Sequence, residues 1–229
     1  MPNYVTNIVS FSGDPKVLKE MLEKIKDGEL GTISFDKITP MPKGLDIESG
    51  SMTIGALKII KDFINSYTDG CETVEKFESI DVEVENEFLN DNPTVTREQF
   101  DFGKQYYKNI LMYGAPTWYE WCWDNWGTKW DAIDSYGSYI EGAKNIEMSF
   151  DTAWSPPLPI FEKLAKMYPS LTLEAKWADE DIGNNCGSIK YENGELVEEY
   201  EPESYEEGFE FACEILGIEP EEIEEMRLE

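Results

Sequence analysis

Apolar and polar positions alternate from Tyr4 to Ser12, with Val5, Asn7, Val9 and Phe11 on one side and Tyr4, Thr6, Ile8 and Ser10 on the other. That period of two predicts a strand buried on at least one face. Gly13-Asp14-Pro15 breaks it. Asp14 is placed to cap a helix led by Pro15, in which Val17, Leu18, Met21, Leu22 and Ile25 recur at helical spacing before Gly28. A second strand is expected over Thr32 to Ile38 and ends at Pro40-Met41-Pro42, since prolines cannot serve an interior ladder.

The period then changes. Ile54, Leu57, Ile60 and Ile64 stripe a helix from Met52 to Tyr67, and the capping-box forms Thr96-x-x-Gln99 and Thr117-x-x-Glu120 predict helices over 97–113 and 118–126. Ile80-Asp81-Val82-Glu83-Val84-Glu85 alternates apolar with acidic and reads as an edge strand whose acids face water and oppose aggregation. The last third returns to sheet. Strands over Asn145 to Asp151 and Leu171 to Trp177 flank a helix from Pro157 to Tyr168, and Cys186 to Glu192 pairs with Glu195 to Tyr200 through Asn193-Gly194, a strong hairpin signal. Ser204-x-x-Glu207 caps a final helix closed by Gly217, with Tyr205, Phe209, Ala212 and Leu216 inward. Strand, helix, strand at both ends predict an α+β fold, a ferredoxin-like antiparallel sheet with helices on one face. Residues 1–229 are expected to form a single domain with a helical insertion at about 50–135 and an acidic C-terminal helix at about 203–229.

Charge changes the picture. Forty-eight acidic against 19 basic residues give a net charge of −29 on 229 residues. After Lys190 the sole basic residue is Arg227, while sixteen acids fall between Glu192 and Glu229. Such a chain repels nucleic acid and anionic membranes and attracts basic surfaces. With 41% hydrophobic and 13% aromatic residues it is too apolar for an acidic disordered polypeptide. There is no histidine, which removes Ser-His-Asp and Cys-His catalysis and His-ligated zinc together. No phosphate-loop or dinucleotide fingerprint is present. Cys71, Cys122, Cys186 and Cys213 are scattered without a C-x-x-C pair and read as reduced thiols. The first residues lack a basic and apolar leader, and no stretch approaches the roughly 18 apolar residues that span a bilayer; a cytoplasmic protein is expected.

Two sets of residues are candidates for a site. Asp81, Glu83 and Glu85 of the expected edge strand, with Glu203, Glu206, Glu207, Glu210 and Glu214 of the last helix, form acidic rows that attract a basic partner. Trp123 and Trp126, from a segment that also holds Trp118, Trp121 and Trp130, would anchor it. The other set is a ligand cleft of Lys129, Asp131, Trp154, Asp179 and Asp181. Here Lys129 meets indole and carboxylate, and the 179–185 loop offers oxygen ligands without the order of an EF-hand. No metal site, cofactor or catalytic residue is assigned. Carboxylate-based glycoside hydrolysis, which needs no histidine, stays open.

The opening Met1-Pro2-Asn3-Tyr4-Val5-Thr6-Asn7, the Pro40-Met41-Pro42 turn, Asn125-Trp126-Gly127-Thr128-Lys129-Trp130-Asp131, Phe150-Asp151-Thr152-Ala153-Trp154-Ser155-Pro156-Pro157 and Ala178-Asp179-Glu180-Asp181-Ile182-Gly183 together resemble the YubB ferredoxin-like domain family. The resemblance spans most of the chain to about residue 195 and leaves out the acidic end. It implies a ferredoxin-like fold and a phage, plasmid or integrated-element setting, in a family with no assigned reaction. With the charge, it leads to one expectation: a non-enzymatic phage or mobile-element protein in the host cytoplasm. Its acidic, nucleic-acid-mimicking surface would bind and inhibit a basic host protein, a nucleic-acid-binding defence complex of the CRISPR or restriction type, without binding nucleic acid or membrane itself. A small-ligand or metal-binding module and a regulatory or scaffold protein are the alternatives.

Overall fold

The computed structural model describes residues 3–219. In chain order the elements are β1 (Tyr4–Ser12), α1 (Pro15–Ile25), α2 (Phe35–Ile38), a 3-10 turn (Lys43–Leu45), α3 (Ser51–Tyr67), α4 (Val74–Glu78), α5 (Val82–Asp91), α6 (Arg97–Tyr113), α7 (Trp118–Trp126), β2 (Ile133–Gly137), β3 (Asn145–Ala153), α8 (Leu158–Met167), β4 (Thr172–Asp179), β5 (Gly187–Glu192), β6 (Glu195–Tyr200) and α9 (Tyr205–Leu216). They form two compact units. One joins residues up to Pro40 with those from Cys122, and the other is Met41–Trp121.

The first unit is built on a six-stranded sheet in the order β2-β3-β1-β4-β5-β6, antiparallel throughout. This is the expected α+β, ferredoxin-like arrangement. The alternation read along β1 holds: Val5, Asn7, Val9 and Phe11 are buried and the intervening residues less so. Phe150 of β3 meets Phe35 of α2 at 5.8 Å and Phe161 of α8 at 6.4 Å, ring centroid to centroid, so these helices cover the Val5 face. The expectation of helices on one face alone is corrected by α9, which adds a smaller layer on the other face, where Ala212 and Ile215 pack with Ala178 and Ile8. Asp14 caps α1 as its position suggested, accepting hydrogen bonds from the backbone N–H groups of Lys16 and Val17. Asn193 and Gly194 turn the β5–β6 hairpin with φ of 53° and 81°, the left-handed pair that such a two-residue turn requires.

Three further expectations change. Thr32–Ile38 is not a strand: Phe35–Ile38 is a short helix. Asp131 decides this, because its carboxylate accepts from the Ser34 hydroxyl (2.8 Å) and the backbone N–H groups of Phe35 (2.5 Å) and Asp36 (3.3 Å), which satisfies donors at the helix start. Nor does Ile80–Glu85 form an edge strand. Asp81 caps α5 through the Glu83 N–H, and Val84 and Phe88, one helical turn apart, face the second unit's core. Finally, Ile133–Gly137, expected to lie at the end of the helical insertion, is the edge strand β2. Its outer side is closed locally, since a Cβ on Gly31 would lie 2.5 Å from the Gly137 carbonyl oxygen and the Ile33 N–H donates to Ser135 Oγ at 3.0 Å. Of the acidic segment expected from 203 to 229, Tyr205–Leu216 is helical, and 220–229 lies outside the described residues.

The second unit, by itself, is a helical cluster. Ile60, Phe63 and Ile64 of α3 pack with Phe77, Phe88 and Phe100, and Phe63 meets Phe88 and Phe100 edge-on at 5.3 and 5.0 Å. Helices α6 and α7 have the bounds the capping boxes predict, and the reciprocal Thr96–Gln99 box is formed.

Candidate functional site

Four separate stretches of the first unit meet at one end of the sheet: the start of β1, the loop after α7, the end of β3 and the loop after β4. Trp154 lies at their centre. It follows β3 with φ of +68°, a conformation that costs a bulky L residue roughly 1–3 kcal/mol and persists only where the surroundings impose it. The surroundings are specific. The Trp154 N–H donates to the Asn3 carbonyl at 2.9 Å, and its own carbonyl accepts from Asn185 Nδ2 at 2.9 Å. Asn185 Nδ2 also donates to Asp179 at 2.8 Å. Asp179 is 5% exposed and accepts in addition from Asn3 Nδ2 (3.1 Å) and the Asp181 N–H (2.8 Å). A buried carboxylate thus ties the chain on both sides of the strained residue. Below it, Ser155 Oγ donates to the Gly127 carbonyl at 2.5 Å, and the Thr128 hydroxyl bonds both backbone groups of Ala153.

The Trp154 ring is 38% exposed. It stacks on Trp123 with centroids 6.1 Å apart and planes 7° apart. Lys129 Nζ sits 4.7 Å from its centroid and 4.8 Å from that of Trp130, a cation held by two indoles. Beside this stack opens a cleft of about 530 Å³, lined by Pro156, Leu158, Trp177, Asn185, Glu201 and Tyr205, with Gly183, Asn184, Cys186, Pro202, Glu203 and Ser204 completing it. Asn185 belongs to both cleft and network. The start of α9 is pressed against the cleft loop: a Cβ on Gly208 would lie 2.5 Å from the Gly183 carbonyl oxygen.

The candidate residues sort as follows. Lys129, Trp154 and Asp179 come together. Asp181 lies in the same loop, where it holds the turn by accepting from Asn184 Nδ2 at 3.2 Å. Asp131 does not join them, being engaged at the start of α2. Trp123 stacks on Trp154, whereas Trp126 is a core residue, 5% exposed, whose indole N–H donates to the Thr39 carbonyl at 2.9 Å. Glu203, Glu206, Glu207, Glu210 and Glu214 are all exposed along α9 and the turn before it. Lys176 pairs with Glu214 at 3.4 Å. The α5 acids differ: Asp81 is a helix cap, Glu83 is exposed, and Glu85 is buried between Arg97 and Lys104.

Residues 125–219 match the model of a family described as the ferredoxin-like domain in Api92-like protein. The uncharacterized protein YubB of Escherichia coli (strain K12) is 30% identical over 106 residues, which are 46% of this chain and 72% of that protein. The chain belongs to the YubB family. The crystal structure of protein api92 from Yersinia pseudotuberculosis covers 89% of this chain and 99% of its own, at 9% identity and a TM-score of 0.45. The matched 125–219 segment holds Lys129, Trp154, Asp179, Asn185 and every residue lining the cleft, while Asn3 and Trp123 come from outside it. The motifs that carry the family resemblance therefore build the sheet-end network.

Burial raises the Cys186 thiol above its ordinary value, and burial, with Asp131 and Asp36 nearby, pushes Cys122 up to about 12, so neither is a ready nucleophile. Among the described residues no group of three acids or cysteines is placed to hold a metal. No described helix is long and apolar enough to cross a membrane. Sequence reasoning missed Asn3, Asn185 and Leu158. Asn185 had one legible signal, an asparagine in a polar loop that tolerates its φ of 44°.

Proposed function

We propose that the protein is a docking protein that binds a basic macromolecular partner at the sheet-end cleft and performs no chemistry on it. One observation carries this reading: three large apolar side chains are exposed at or beside the cleft, Trp154 at 38%, Leu158 at 39% and Tyr205 at 43%, beside an acid-rich stretch in which Lys176 meets Glu214 and Lys190 meets Glu198, with Lys129 on the Trp154 ring. Glu195, Glu198, Glu199, Glu201, Glu203, Glu206, Glu207, Glu210 and Glu214 are all exposed, and no Lys or Arg occurs between residues 191 and 219. Aromatic anchors within a polar rim are the usual anatomy of a protein interface, and a one-sign rim steers an oppositely charged partner. The Trp154 network holds its anchor before binding, which lowers the ordering cost.

The partner class follows from charge. Glu206 to Glu214 on α9 span about 12 Å at helical rise, one charge per roughly 4 Å, against about 1.7 Å along duplex DNA. β6 adds a second row, joined to α9 where the Tyr200 hydroxyl donates to Glu207 at 2.7 Å and its ring meets Phe211 at 5.2 Å. Two rows bring the density nearer that of a nucleic acid. A basic nucleic-acid groove, such as that of a host defence factor faced by a phage or plasmid protein, fits this surface. The test is capture of partners from host lysate at low salt, stepwise salt elution, and displacement by duplex DNA. Recovery of a basic nucleic-acid-binding complex that releases on DNA addition is expected. Stabilisation by a small molecule with no basic partner recovered would replace the reading with a ligand-binding one.

A further inference from the structure

We propose that the sheet-end cleft receives an arginine side chain of the basic partner. This inference rests on the docking reading and names what the cleft recognises. The cleft is large enough, at about 530 Å³, to take a long side chain with its flanking backbone, within the usual range for ligand sites. None of its twelve lining residues is basic. Glu201 and Glu203 line it from the β6–α9 connection, both exposed, and no ion pair engages either among the described residues. Asn184 and Asn185 line it as well; the Nδ2 groups of both are already donating, to Asp181 in one case and to Trp154 and Asp179 in the other. Asn185 has spent both N–H donors and is left with its acceptor oxygen, whereas Asn184 keeps one N–H and its oxygen. Two carboxylates and an amide oxygen in one cleft suit a planar guanidinium with five donors better than an ammonium. Trp177, Leu158 and Pro156 give the apolar floor against which the aliphatic stem packs.

The probe is N-acetyl-L-arginine amide, titrated into the isotopically labelled full chain at fixed ionic strength and followed at the side-chain amides of Asn184 and Asn185 and the indole N–H of Trp177. N-acetyl-L-lysine amide and N-acetyl-L-citrulline amide, the latter neutral and nearly isosteric, are the controls. Saturable shifts at these groups are expected for arginine, about fivefold weaker affinity for lysine, and no saturation for citrulline. The double variant E201Q/E203Q should weaken arginine binding by about tenfold, while E210Q/E214Q leaves it unchanged. Citrulline binding as well as arginine, or an arginine affinity unchanged in E201Q/E203Q, overturns the proposal. Failure is separable from that of the docking reading: a basic partner captured equally by wild type and E201Q/E203Q overturns the arginine cleft alone, and a saturable arginine site in a protein that captures no partner overturns the docking reading alone.

Discussion

Helices α5 and α9 each carry four acidic residues, but only α5 buries one of them. In α5, Glu85 is 3% exposed and held by Arg97 at 2.9 Å and by Lys104, while Asp91 accepts from the Tyr67 hydroxyl at 2.7 Å. In α9 all four acids face water, and Lys176 at 3.4 Å from Glu214 is the cation paired with them among the described residues. Composition treats the two as equivalent. The difference lies in the deepest acid of each: Glu85 is built into the core of its unit, whereas in α9 Glu207 and Glu214 are engaged at the surface by Tyr200 and Lys176, and no hydrogen bond or ion pair engages Glu206 or Glu210 among the described residues. Asp179 is of the α5 kind, although it stands beside the cleft: it holds the site together and is not offered to a partner.

Substitutions at both kinds of acid sharpen this contrast. Asp179→Ala should have the largest effect, about 3 kcal/mol lost in urea unfolding, because it strands donors from Asn3, Asn185 and Asp181; the indole emission should shift to the red as Trp154 loses its tie. Glu85→Gln should cost about 2 kcal/mol, less than a fully buried pair, since the side chains of Arg97 and Lys104 are 46% and 35% exposed and regain water. At Trp154 the strain itself is measurable. Trp154→Gly should be more stable than Trp154→Ala by about 1 kcal/mol, because glycine accepts the φ of +68° without cost; equal stabilities would remove the strained-anchor argument.

The bare acids should barely matter to folding. The triple change E206Q/E210Q/E214Q takes the net charge from −29 to −26, and each step should alter stability by under about 0.5 kcal/mol while weakening partner binding. The smallest effect is in the pH dependence. The hydrogen bond from Tyr200, with the Glu203 N–H, holds Glu207 below the ordinary carboxylate value of 4.5. The same bond to Glu207, ahead of burial, pushes Tyr200 up to about 12. Stability from Glu207 is therefore present above 4.5 and is lost as pH falls through its lowered value. That from Tyr200 is present below 10 and is lost as pH rises toward 12. Tyr200→Phe should flatten both limbs and remove one late-titrating phenol from the alkaline absorbance curve.

Much of the fold was legible where local chemistry and tertiary packing agree. The capping boxes set α6 and α7, Asn193-Gly194 set the hairpin, and the alternation of β1 survived because one face of it meets the core. The failures came where a distant residue or a longer window decides. Six alternating residues at 80–85 fit a strand until Phe88 extends the pattern into a helical stripe. The 32–38 segment is turned into helix by Asp131, nearly a hundred residues away in sequence. β2, with Asp134 at φ 49° and an exposed Tyr136, has too little apolar alternation to register. At the site, the residue types Trp154, Lys129 and Asp179 were readable. Their convergence was not, because Asn3 and Asn185 make it, and nothing in spacing tells that two asparagines meet one carboxylate.

The proposed docking surface joins the exposed acids of α9 to the held Trp154 and takes a basic partner. It is tested most directly by measuring the affinity of the captured partner for wild type, Trp154→Ala and E206Q/E210Q/E214Q across a series of salt concentrations. The account predicts that wild-type affinity falls steeply with salt, that the triple variant flattens this dependence, and that Trp154→Ala weakens binding at every salt concentration without changing the slope. Affinity independent of salt, with both variants binding as wild type does, would contradict it.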